Sequence, residues 1–415
     1  MPALRIPKVP TLDDLNVRRA KVILRVDINS PIDPRSGRVI DNIRLRSYVD
    51  TIRELAIERE CAVAIVAHQG RPGERDFTTL EEHVKLLEKY VGVKIRFVDD
   101  VMGPTAREEI RRLKYGEVLA LDNVRFISEE LVEALPERQA ETYLVKRLSP
   151  LFNYYVNDAF GTAHRSQPSI VGFPLVLPSA AGRLMEREVK ALRRVFTSAE
   201  PPRLFVLGGG KVYDTLRIIS NLVSNGVADR ILTTGLVAQL FLVAKAVNVG
   251  DVNKRFLEEK GVLSLIPRAR RLLLRGAPIE TPIDFVTVKN GDVKVEGVGR
   301  VEGLIMDIGP NTVMMYSDLM REASAIIMRG PSGVVEDPRF RDGTLRLVRA
   351  ALSSNAFVVL GGGHLTITVS WDEARARGNL HLSTGGGALL LFLSGEPLPA
   401  LEALAASARK FLGWS

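Results

Sequence analysis

The sequence predicts an α/β protein with two doubly wound parallel-sheet domains joined by a connecting helix and a hinge. The first reason is length, because a chain of 415 residues is too long for one ordinary hydrophobic core. The second is the alternation of short apolar runs with amphipathic stretches in both halves, which is typical of βαβ units. The third is the segment Leu184–Phe196, whose apolar spacing is helical and whose many charges predict a helix exposed over much of its surface.

In the first half, short runs rich in Val, Ile, Leu, Ala or Tyr predict the strands of one parallel sheet. These runs are Lys21–Val26, Cys61–Ala67, Lys94–Val98, Glu117–Leu121 and Tyr154–Val156. Amphipathic stretches over Ile43–Glu60 and Thr79–Tyr90 predict helices between the strands.

The second half repeats this alternation, and we expect its apolar runs to form a second parallel sheet. These runs are Leu204–Leu207, Arg230–Thr233, Asp284–Val288, Ser324–Met328 and Phe357–Leu360. The apolar spacing of Val212–Asn225 predicts a helix directly after the first of them.

The composition, with 46% hydrophobic and 26% charged residues, indicates a soluble globular protein. No apolar run reaches the roughly 20 residues that span a bilayer, and the first residues lack a signal-peptide core. We therefore expect no membrane partner. The one cysteine, Cys61, lies in an apolar run and is expected to be a small core residue. A disulfide within the chain is impossible, which favours a cytoplasmic location.

The basic net charge, +8 with a pI of about 9.6, raises nucleic-acid binding as an alternative. However, the basic residues are mixed with acidic ones, as in Arg183–Arg194, and aromatic residues that could stack on bases make up only 6%. We expect no nucleic-acid partner and assign part of the charge to small anionic ligands. Salt-dependent binding of random DNA without phosphoryl chemistry would favour the alternative.

The most informative segment is Arg203–Lys211, an apolar run that leads into three glycines and a lysine. Consecutive glycines at a helix start can turn several N–H groups towards one phosphate, and Lys211 adds a positive charge beside them. The pattern recurs at Gly361–Gly363 and Gly385–Gly387, each after an apolar run. Together these units predict a phosphate or nucleotide site. A single triplet would also fit a tight turn or close helix–sheet packing, and the first matches neither a P-loop nor Gly-x-Gly-x-x-Gly.

Polar and cationic side chains follow the predicted strands of the first half. They are Arg25, Asp27, Asn29, His68, Arg71, Asn123, Arg125, Asn157, Asp158, His164 and Arg165, with Arg44 near the start of a helix. Ligands of open parallel sheets bind beyond the carboxyl ends of the strands, and arginine suits bidentate capture of carboxylate or phosphate. The sequence therefore predicts a small-anion site. Each residue also has an ordinary interpretation: an arginine as a surface charge, Asp27 or Asp158 as its partner, and His68 as a structural residue.

A small-anion site on one domain and a polyphosphate site on the other indicate phosphoryl transfer. This chemistry needs an aligned donor and acceptor, exclusion of water and neutralised charge on the equatorial oxygens. Domain closure about the connecting helix would meet these needs. A dinucleotide-dependent dehydrogenase would share the architecture, but it should show Gly-x-Gly-x-x-Gly after an early strand, and none is present there.

Collinear motifs over nearly the whole chain resemble those of phosphoglycerate kinase. They are Arg25–Pro31, Asp41–Leu45, His68–Pro72, Asn157–Arg165, Gly182–Glu186, Gly208–Val212, Asp307–Pro310, Gly330–Gly333 with Glu336, and Ser383–Gly387. The resemblance implies a monomeric, hinge-closing enzyme that interconverts 1,3-bisphosphoglycerate plus MgADP and 3-phosphoglycerate plus MgATP. Mg²⁺ would enter as the nucleotide complex of ATP or ADP.

The resemblance also implies how the chain is divided. Residues 1–183 would form the N-terminal domain that binds phosphoglycerate, and residues 184–198 the connecting helix. Residues 199–395 would form the C-terminal nucleotide-binding domain. The last residues, 396–415, would return to the N-terminal domain.

Site residues follow from the same resemblance. Those implied to bind phosphoglycerate are Asp27, Asn29, Arg44, His68, Arg71, Arg125 and Arg165. Those implied to bind the nucleotide are Gly208, Gly209, Gly210, Lys211, Gly235, Pro331, Glu336 on the ribose, Gly361, Gly362, Gly363, Gly385, Gly386 and Gly387. Those implied to act in catalysis are Arg44, Lys211, Gly362, Gly363 and Gly386.

Three departures from the commoner family pattern resemble the archaeal branch. Thr215 stands where many members have a second lysine, His364 stands where many have a metal-contacting aspartate, and Met328–Pro331 reads Met-Arg-Gly-Pro instead of Trp-Asn-Gly-Pro. The metal ligands therefore stay unknown, although Mg²⁺ held mostly by phosphate oxygens and water is chemically reasonable. Neutral imidazole is a poor ligand for Mg²⁺, so we expect His364 to bond a phosphate, cap its loop or pack at a helix start.

Overall fold

The computed structural model describes residues 6–40, 43–366 and 368–414. Asp41 and Asn42, the first residues of one family motif, lie outside the described residues. The chain forms two compact units: the N-terminal unit is Ile6–Lys190 with the residues from Pro397 onward, and the C-terminal unit is Ala191–Glu396. The predicted fold class is confirmed, because each unit contains a six-stranded parallel sheet flanked by helices. The predicted boundaries of independently moving domains stay a prediction.

The N-terminal sheet has the strand order β3-β4-β2-β1-β5-β6, and all of its pairs are parallel. Its strands are β1 Lys21–Arg25, β2 Ala62–Val66, β3 Ile95–Val98, β4 Val118–Leu121, β5 Tyr154–Asn157 and β6 Ser179–Ala181. Alternate side chains enter the two cores on opposite faces of the sheet, as Val22 and Leu24 do on one face and Ile23 on the other. Burial on both faces explains why these strands are continuous apolar runs.

The helices of the N-terminal unit follow the strands in βαβ fashion. They are α1 Ile43–Ser47, α2 Val49–Arg53, α3 Glu81–Val91, α4 Pro104–Arg112, α5 Pro136–Ala140, α6 Tyr143–Leu148 and α7 Arg183–Arg193, the last of which continues into the C-terminal unit after Lys190. Short π turns occupy Glu54–Glu58 and Pro168–Gly172, and short 3₁₀ turns occupy Leu12–Asp14, Val124–Phe126, Ser128–Leu131, Ser149–Leu151, Phe160–Thr162 and Phe173–Leu175. Cys61, immediately before β2, is fully buried, as expected.

The C-terminal parallel sheet has the order β15-β14-β13-β7-β8-β9, and a separate antiparallel sheet has the order β11-β10-β12. The strands are β7 Arg203–Leu207, β8 Arg230–Thr233, β9 Ile279–Glu280, β10 Asp284–Lys289, β11 Asp292–Gly297, β12 Leu304–Ile308, β13 Ala325–Arg329, β14 Phe357–Gly361 and β15 Leu380–Ser383. The helices are α8 Val212–Ser224, α9 Gly235–Ala244, α10 Asp251–Glu259, α11 Ile266–Leu274, α12 Pro310–Arg321, α13 Asp342–Ser353, α14 Gly363–Thr366, α15 Trp371–Ala376 and α16 Gly387–Leu393. A π turn at Arg194–Ser198 and 3₁₀ turns at Val262–Leu265 and Pro338–Phe340 complete the unit.

The placement of Asp284–Val288 in the second parallel sheet is wrong. This run is the central strand, β10, of the antiparallel sheet, and the parallel sheet instead ends on the two-residue β9. The sequence carried a signal for this hairpin, because Asn290 and Gly291 stand between β10 and β11 and both have positive φ, 53° and 90°. Asn-Gly between alternating residues is the preferred tight turn of a β-hairpin.

The prediction of a largely exposed connecting helix is also wrong. α7 buries Leu184, Met185, Glu188, Val189 and Leu192, each at most 4% exposed. Its first residue, Arg183, donates to Asp13 and Glu54 at 2.6–2.8 Å. Several charged side chains of this helix form ion pairs. The many charges in its sequence were therefore not evidence that the helix is exposed to solvent.

The last helix, α17 Pro399–Phe411, lies in the N-terminal unit. The Ala400 N–H donates to the Ala163 carbonyl at 3.1 Å, the Ser407 hydroxyl to the Leu177 carbonyl at 3.1 Å, and the Lys410 ammonium to the Leu175 carbonyl at 2.7 Å. Among the described residues, no helix is both long and apolar enough to cross a membrane.

Candidate active site

The carboxyl edge of the N-terminal sheet gathers the residues implied to bind phosphoglycerate. Asp27 and Asn29 follow β1, His68 and Arg71 follow β2, Arg125 follows β4, Arg165 follows β5, and Arg44 lies on α1. Parallel strands place these positions at the same edge of the sheet. We name this group, together with Arg25 at the end of β1, the cationic rim.

One end of the cationic rim is organised by Arg44. Its guanidinium donates to the Asp27 carboxylate at 3.3 Å and to the Asn29 carbonyl at 3.2 Å, and the Asn29 N–H donates to Asp27 at 3.2 Å. Asp27 is 2% exposed, whereas the Arg44 side chain keeps 33% of its surface. Asp27 therefore orients Arg44, whose side chain is partly exposed to solvent.

His68 lies among the arginines and is held neutral. Its pKa is well below the ordinary value because the ring is buried and because Arg25, Arg125, Arg165 and Arg44 surround it. The Arg25 guanidinium lies 3.2 Å from Nδ1. Since arginine can only donate, Nδ1 is the acceptor and the proton is on Nε2. His68 therefore offers a neutral N–H donor.

Arg125 shows how closely the cations are grouped. Its pKa is lowered to about 10, first by burial and then by Arg165, Arg25 and Arg71. Its Nε is buried without a hydrogen-bond partner among the described residues. Burying guanidinium groups together is unfavourable unless an anion compensates them. The charge of this cluster therefore suits a carboxylate or phosphate ligand.

The loop after β2 is fixed by amide side chains. Asn29 Oδ1 accepts from the Gly70 N–H at 2.9 Å, and the Asn123 side chain donates to the Gln69 carbonyl at 2.7 Å. The Arg125 guanidinium donates to the Gly70 carbonyl. Gly70 has φ of +62°, and a Cβ there would lie 2.5 Å from the Asp76 carbonyl oxygen. The loop therefore requires glycine, and its rigidity positions the following Arg71.

A buried histidine next to this loop predicts a pH effect on stability. His83 Nε2 lies 2.8 Å from Gln69 Oε1, and burial lowers the His83 pKa to about 4. The unfolded chain, with an ordinary histidine pKa of about 6.5, binds the proton first as the pH falls. The free energy of unfolding should therefore fall as the pH drops from about 6.5 to 4, by roughly 2–3 kcal/mol from this group.

The test is urea unfolding of the wild type and His83→Gln at pH 7 and pH 4.5. Glutamine keeps a donor but cannot titrate, so the variant should lose less stability between the two pH values. The exposed His364→Gln is the matched control. Equal losses in the wild type and His83→Gln would contradict the account.

Two residues near the rim have roles that the sequence left open. Asp158 is fully buried, accepts from the Thr51 hydroxyl at 2.6 Å and from the Met185 N–H at 2.9 Å, and so caps the start of α7 rather than pairing with an arginine. Burial raises the Asp158 pKa to about 6.

The other residue, His164, has a buried Nδ1 without a partner among the described residues, and its pKa is lowered by burial and by Arg165. The Asn157–Arg165 motif was the available signal for this histidine.

A cavity of about 960 Å³ lies at the carboxyl edge of the C-terminal parallel sheet. It gathers most of the residues implied to bind the nucleotide, from the ends of β7, β8, β13, β14 and β15. These lining residues are Gly208, Gly209, Gly210, Lys211, Gly235, Pro331, Glu336, Gly362, Gly363, Gly386 and Gly387. Gly361 and Gly385 do not line it: a Cβ at Gly361 would lie 2.2 Å from Leu389, and the Gly385 N–H donates to the Ser383 hydroxyl at 3.1 Å.

The N–H groups of the first triplet do not all converge on one ligand, which corrects the expectation from the sequence. The Gly208 N–H donates to the Arg329 carbonyl and the Gly209 N–H to the Pro331 carbonyl, both at 2.9 Å. Close packing requires glycine, since a Cβ at Gly208 would lie 2.6 Å from the Pro331 carbonyl oxygen of this loop and 2.0 Å from the Thr234 hydroxyl of another. The packing interpretation therefore holds for Gly208 and Gly209, while Gly210 is exposed at the cavity wall.

The other two triplets have space beside their α-carbons at the cavity. A Cβ at Gly362, Gly363 or Gly386 would meet no atom within 4 Å, and Gly362 and Gly386 have positive φ of 98° and 42°. Their conformations therefore favour glycine even without a close neighbour. A ligand can approach the backbone closely at these positions.

Lys211 immediately precedes α8 and is exposed at the cavity wall. Within the described chain its ammonium has no carboxylate partner. The family's second lysine position, Thr215, is 1% exposed, and its hydroxyl donates to the Lys211 carbonyl at 3.1 Å. Thr215 is thus part of the helix packing and supplies nothing to the cavity.

Part of the cavity wall is apolar, and the sequence did not single it out. It consists of Leu236, Phe256, Leu304, Ile305, Met306, Val334 and Leu390. Such a wall suits the flat faces of a nucleobase, while the glycines and Lys211 suit its phosphates. The residues are ordinary hydrophobic ones, and only the fold brings them together.

His364 and Glu336 face each other at the cavity mouth. His364 Nε2 lies 3.2 Å from Glu336 Oε1, and the two side chains are 53% and 69% exposed. No cluster of three or more His, Cys, Asp or Glu side chains among the described residues could hold a metal ion. The protein groups present therefore do not form a complete metal site of their own.

These two sites can be compared with those of known proteins. A family model described as phosphoglycerate kinase matches residues 12–396. The chain belongs to the phosphoglycerate kinase family. Membership makes it a kinase, a phosphotransferase with a carboxyl group as acceptor.

Individual phosphoglycerate kinases match over almost the whole chain. The protein of Saccharolobus solfataricus is 54% identical over 399 residues, which are 96% of this chain and 97% of that protein. That of Sulfurisphaera tokodaii is 54% identical over 397 residues, 95% of each. The resemblance to the archaeal branch is confirmed by these relatives.

Solved phosphoglycerate kinases share the fold. The crystal structure from Pyrococcus horikoshii has a TM-score of 0.87 at 40% identity and covers 97% of this chain and 100% of its own. The structure from Coxiella burnetii has a TM-score of 0.78 at 28% identity, covering 96% and 99%. The similarity therefore extends across both units.

Proposed function

We propose that this protein transfers a phosphoryl group reversibly between 1,3-bisphosphoglycerate with MgADP and 3-phosphoglycerate with MgATP. The observation that carries the proposal is that a chain of this family has two different sites on its two units. One unit has the cationic rim, and the other has a glycine-lined cavity with cationic and apolar residues. The first suits a small carboxylate–phosphate anion. The second suits a nucleotide.

On the cationic rim, 3-phosphoglycerate would be held by the residues implied by the family. Arg71, Arg125 and Arg165 supply guanidinium groups for its anionic ends. His68 supplies a neutral Nε2–H donor, so this contact should persist throughout the neutral pH range. Arg44, held by Asp27, would reach the carboxyl group that accepts the phosphoryl group and stabilise its charge.

In the cavity, the apolar wall would receive the base and Glu336 the ribose hydroxyls. Gly362, Gly363 and Gly386 allow phosphate oxygens to approach the backbone, and Lys211 supplies a point charge where charge develops on the transferring group. Since each substrate would bind to a different unit, we propose that the units close for in-line transfer and exclude water. We further propose that the protein acts as a cytoplasmic monomer.

Mg²⁺ would enter as part of the nucleotide substrate. The donor set fits this role better than an all-protein site, because Mg²⁺ retains waters and binds substrate phosphates readily, and no protein cluster of ligands is present among the described residues. His364 interacts with Glu336 and does not belong to a carboxylate-rich metal site among the described residues. The chain's own part is therefore to orient the phosphates.

Replacement of His364 tests this assignment. We expect His364→Gln to leave the Mg²⁺ dependence of the rate nearly unchanged, because imidazole is not a metal ligand here. His364→Asp should shift that dependence, since it places a new oxygen and a negative charge near the phosphates. Steady-state rates measured over a Mg²⁺ titration decide the question. If His364→Gln changed the Mg²⁺ concentration that gives the half-maximal rate and His364→Asp did not, imidazole would be shown to contact the metal.

The proposed reaction is tested by following ADP production in a coupled assay with purified protein. ADP should form from MgATP only when 3-phosphoglycerate is added. A dehydrogenase would instead bind a nicotinamide cofactor without any phosphoryl transfer. ATP turnover that ignores 3-phosphoglycerate would remove the proposal.

A further inference from the structure

Arg329, at the end of β13, is a cationic side chain of the cavity that the family resemblance did not assign. β13 pairs with β7 so that Arg329 is level with Leu207, the residue before the first glycine triplet. The Arg329 carbonyl accepts the Gly208 N–H at 2.9 Å. Its side chain lines the same cavity as Lys211. Arg329 therefore lies at the glycine-rich end of the cavity, where we propose that the phosphates bind.

The guanidinium of Arg329 is half-buried, and it forms no hydrogen bond or ion pair with any described residue. Its pKa is lowered by burial, and only the carboxylate of Asp214 acts in the opposite direction. Removing a guanidinium from water without a partner is costly. An anion bound in the cavity would supply the missing partner.

The charges of the cavity point the same way. Among the described lining residues, the permanent cations are Lys211 and Arg329, and the one carboxylate, Glu336, lies against His364. α8 adds no further cation to the cavity, because its one basic residue, Arg217, pairs with Glu396 and position 215 holds an uncharged threonine. A nucleoside di- or triphosphate carries several negative charges, and guanidinium groups bind phosphate with two parallel hydrogen bonds.

We propose that Arg329 binds the phosphates of the nucleotide and acts there as the second cation beside Lys211, in place of a lysine at position 215. This inference rests on the proposed function. It links two departures from the commoner family pattern: position 215 in α8 is a threonine instead of a lysine, and position 329 at the end of the neighbouring strand is an arginine instead of an asparagine. Arg329 would then supply the positive charge that a lysine at position 215 supplies in the commoner pattern.

The test compares ADP and adenosine binding by calorimetry. Arg329→Met should weaken ADP binding roughly 10–100-fold, the effect of losing a hydrogen bond to a charged group. Adenosine binding should be unchanged, because its base and ribose contact other residues. Asp214→Asn is the control: if Arg329 only balances Asp214, this variant should lose as much ADP affinity as Arg329→Met. We expect no loss in Asp214→Asn.

A further variant guards against a folding defect. Arg329→Lys should keep much of the ADP affinity, because it retains a positive charge at the same position. Equal loss of ADP and adenosine binding in every Arg329 variant, or unchanged ADP binding in Arg329→Met, would overturn the proposal. A wild-type protein that binds ADP no tighter than adenosine would instead refute the proposed function.

Discussion

Replacement of Lys211 by alanine is expected to lower kcat by ~10²–10³ while changing the KM values much less. Lys211 lies at the cavity wall directly after the first glycine triplet, with no carboxylate partner in the described chain. Its charge is therefore available to the transferring phosphoryl group, where negative charge develops in the transition state. Initial rates with each substrate varied in turn separate kcat from KM.

The matched control is Lys289→Ala. Lys289 is also exposed and lies in the same unit, but on the antiparallel sheet, where it pairs with Glu302 at 2.7 Å. Its loss should leave kcat unchanged. If Lys211→Ala and Lys289→Ala behave alike, Lys211 takes no part in the transfer.

Loss of a guanidinium from the cationic rim should have the second largest effect. Arg71→Ala and Arg125→Ala are each expected to weaken 3-phosphoglycerate binding roughly 10–100-fold, because each removes a hydrogen-bonding charge from an anion. Nucleotide affinity should be spared, since the cavity belongs to the other unit. Separate calorimetric titrations with 3-phosphoglycerate and ADP measure both.

Arg71 gives the cleaner result of the two, because its side chain is exposed, whereas Arg125 also donates to the Gly70 carbonyl and supports the loop. Arg112→Ala is the control. Arg112 is 68% exposed and pairs with Glu108 at the end of α4, which leads to the opposite edge of the sheet. Parallel losses for both ligands would indicate general damage rather than a phosphoglycerate site.

Local patterns were sufficient to predict two units with parallel sheets, although Asp284–Val288 was assigned to the wrong sheet, and to place the candidate site residues at the edges of these sheets. Strand-like runs that end in Asp27, His68 or Arg125 place these side chains at one edge, because the strands are parallel. The cavity likewise follows from apolar runs that lead into glycines. Neither inference needed contacts between distant parts of the chain.

What the sequence missed depends on long-range contacts. Gly208 and Gly209 donate to a loop more than a hundred residues away, so their packing role was not visible locally. α7 looked exposed because its charges were counted without their partners, Asp13 and Glu54. The apolar wall of the cavity has no local signature at all. The antiparallel hairpin is different, because Asn290-Gly291 was a local signal that could have been used.

The central claim, transfer to a carboxyl group, is tested most directly by trapping the product. Purified protein is incubated with MgATP, 3-phosphoglycerate and hydroxylamine, which converts an acyl phosphate into a stable hydroxamate. We expect hydroxamate and ADP in equal amounts, formed only with 3-phosphoglycerate present and almost absent with Lys211→Ala. ADP released without hydroxamate, or no 3-phosphoglycerate-dependent turnover, would contradict it.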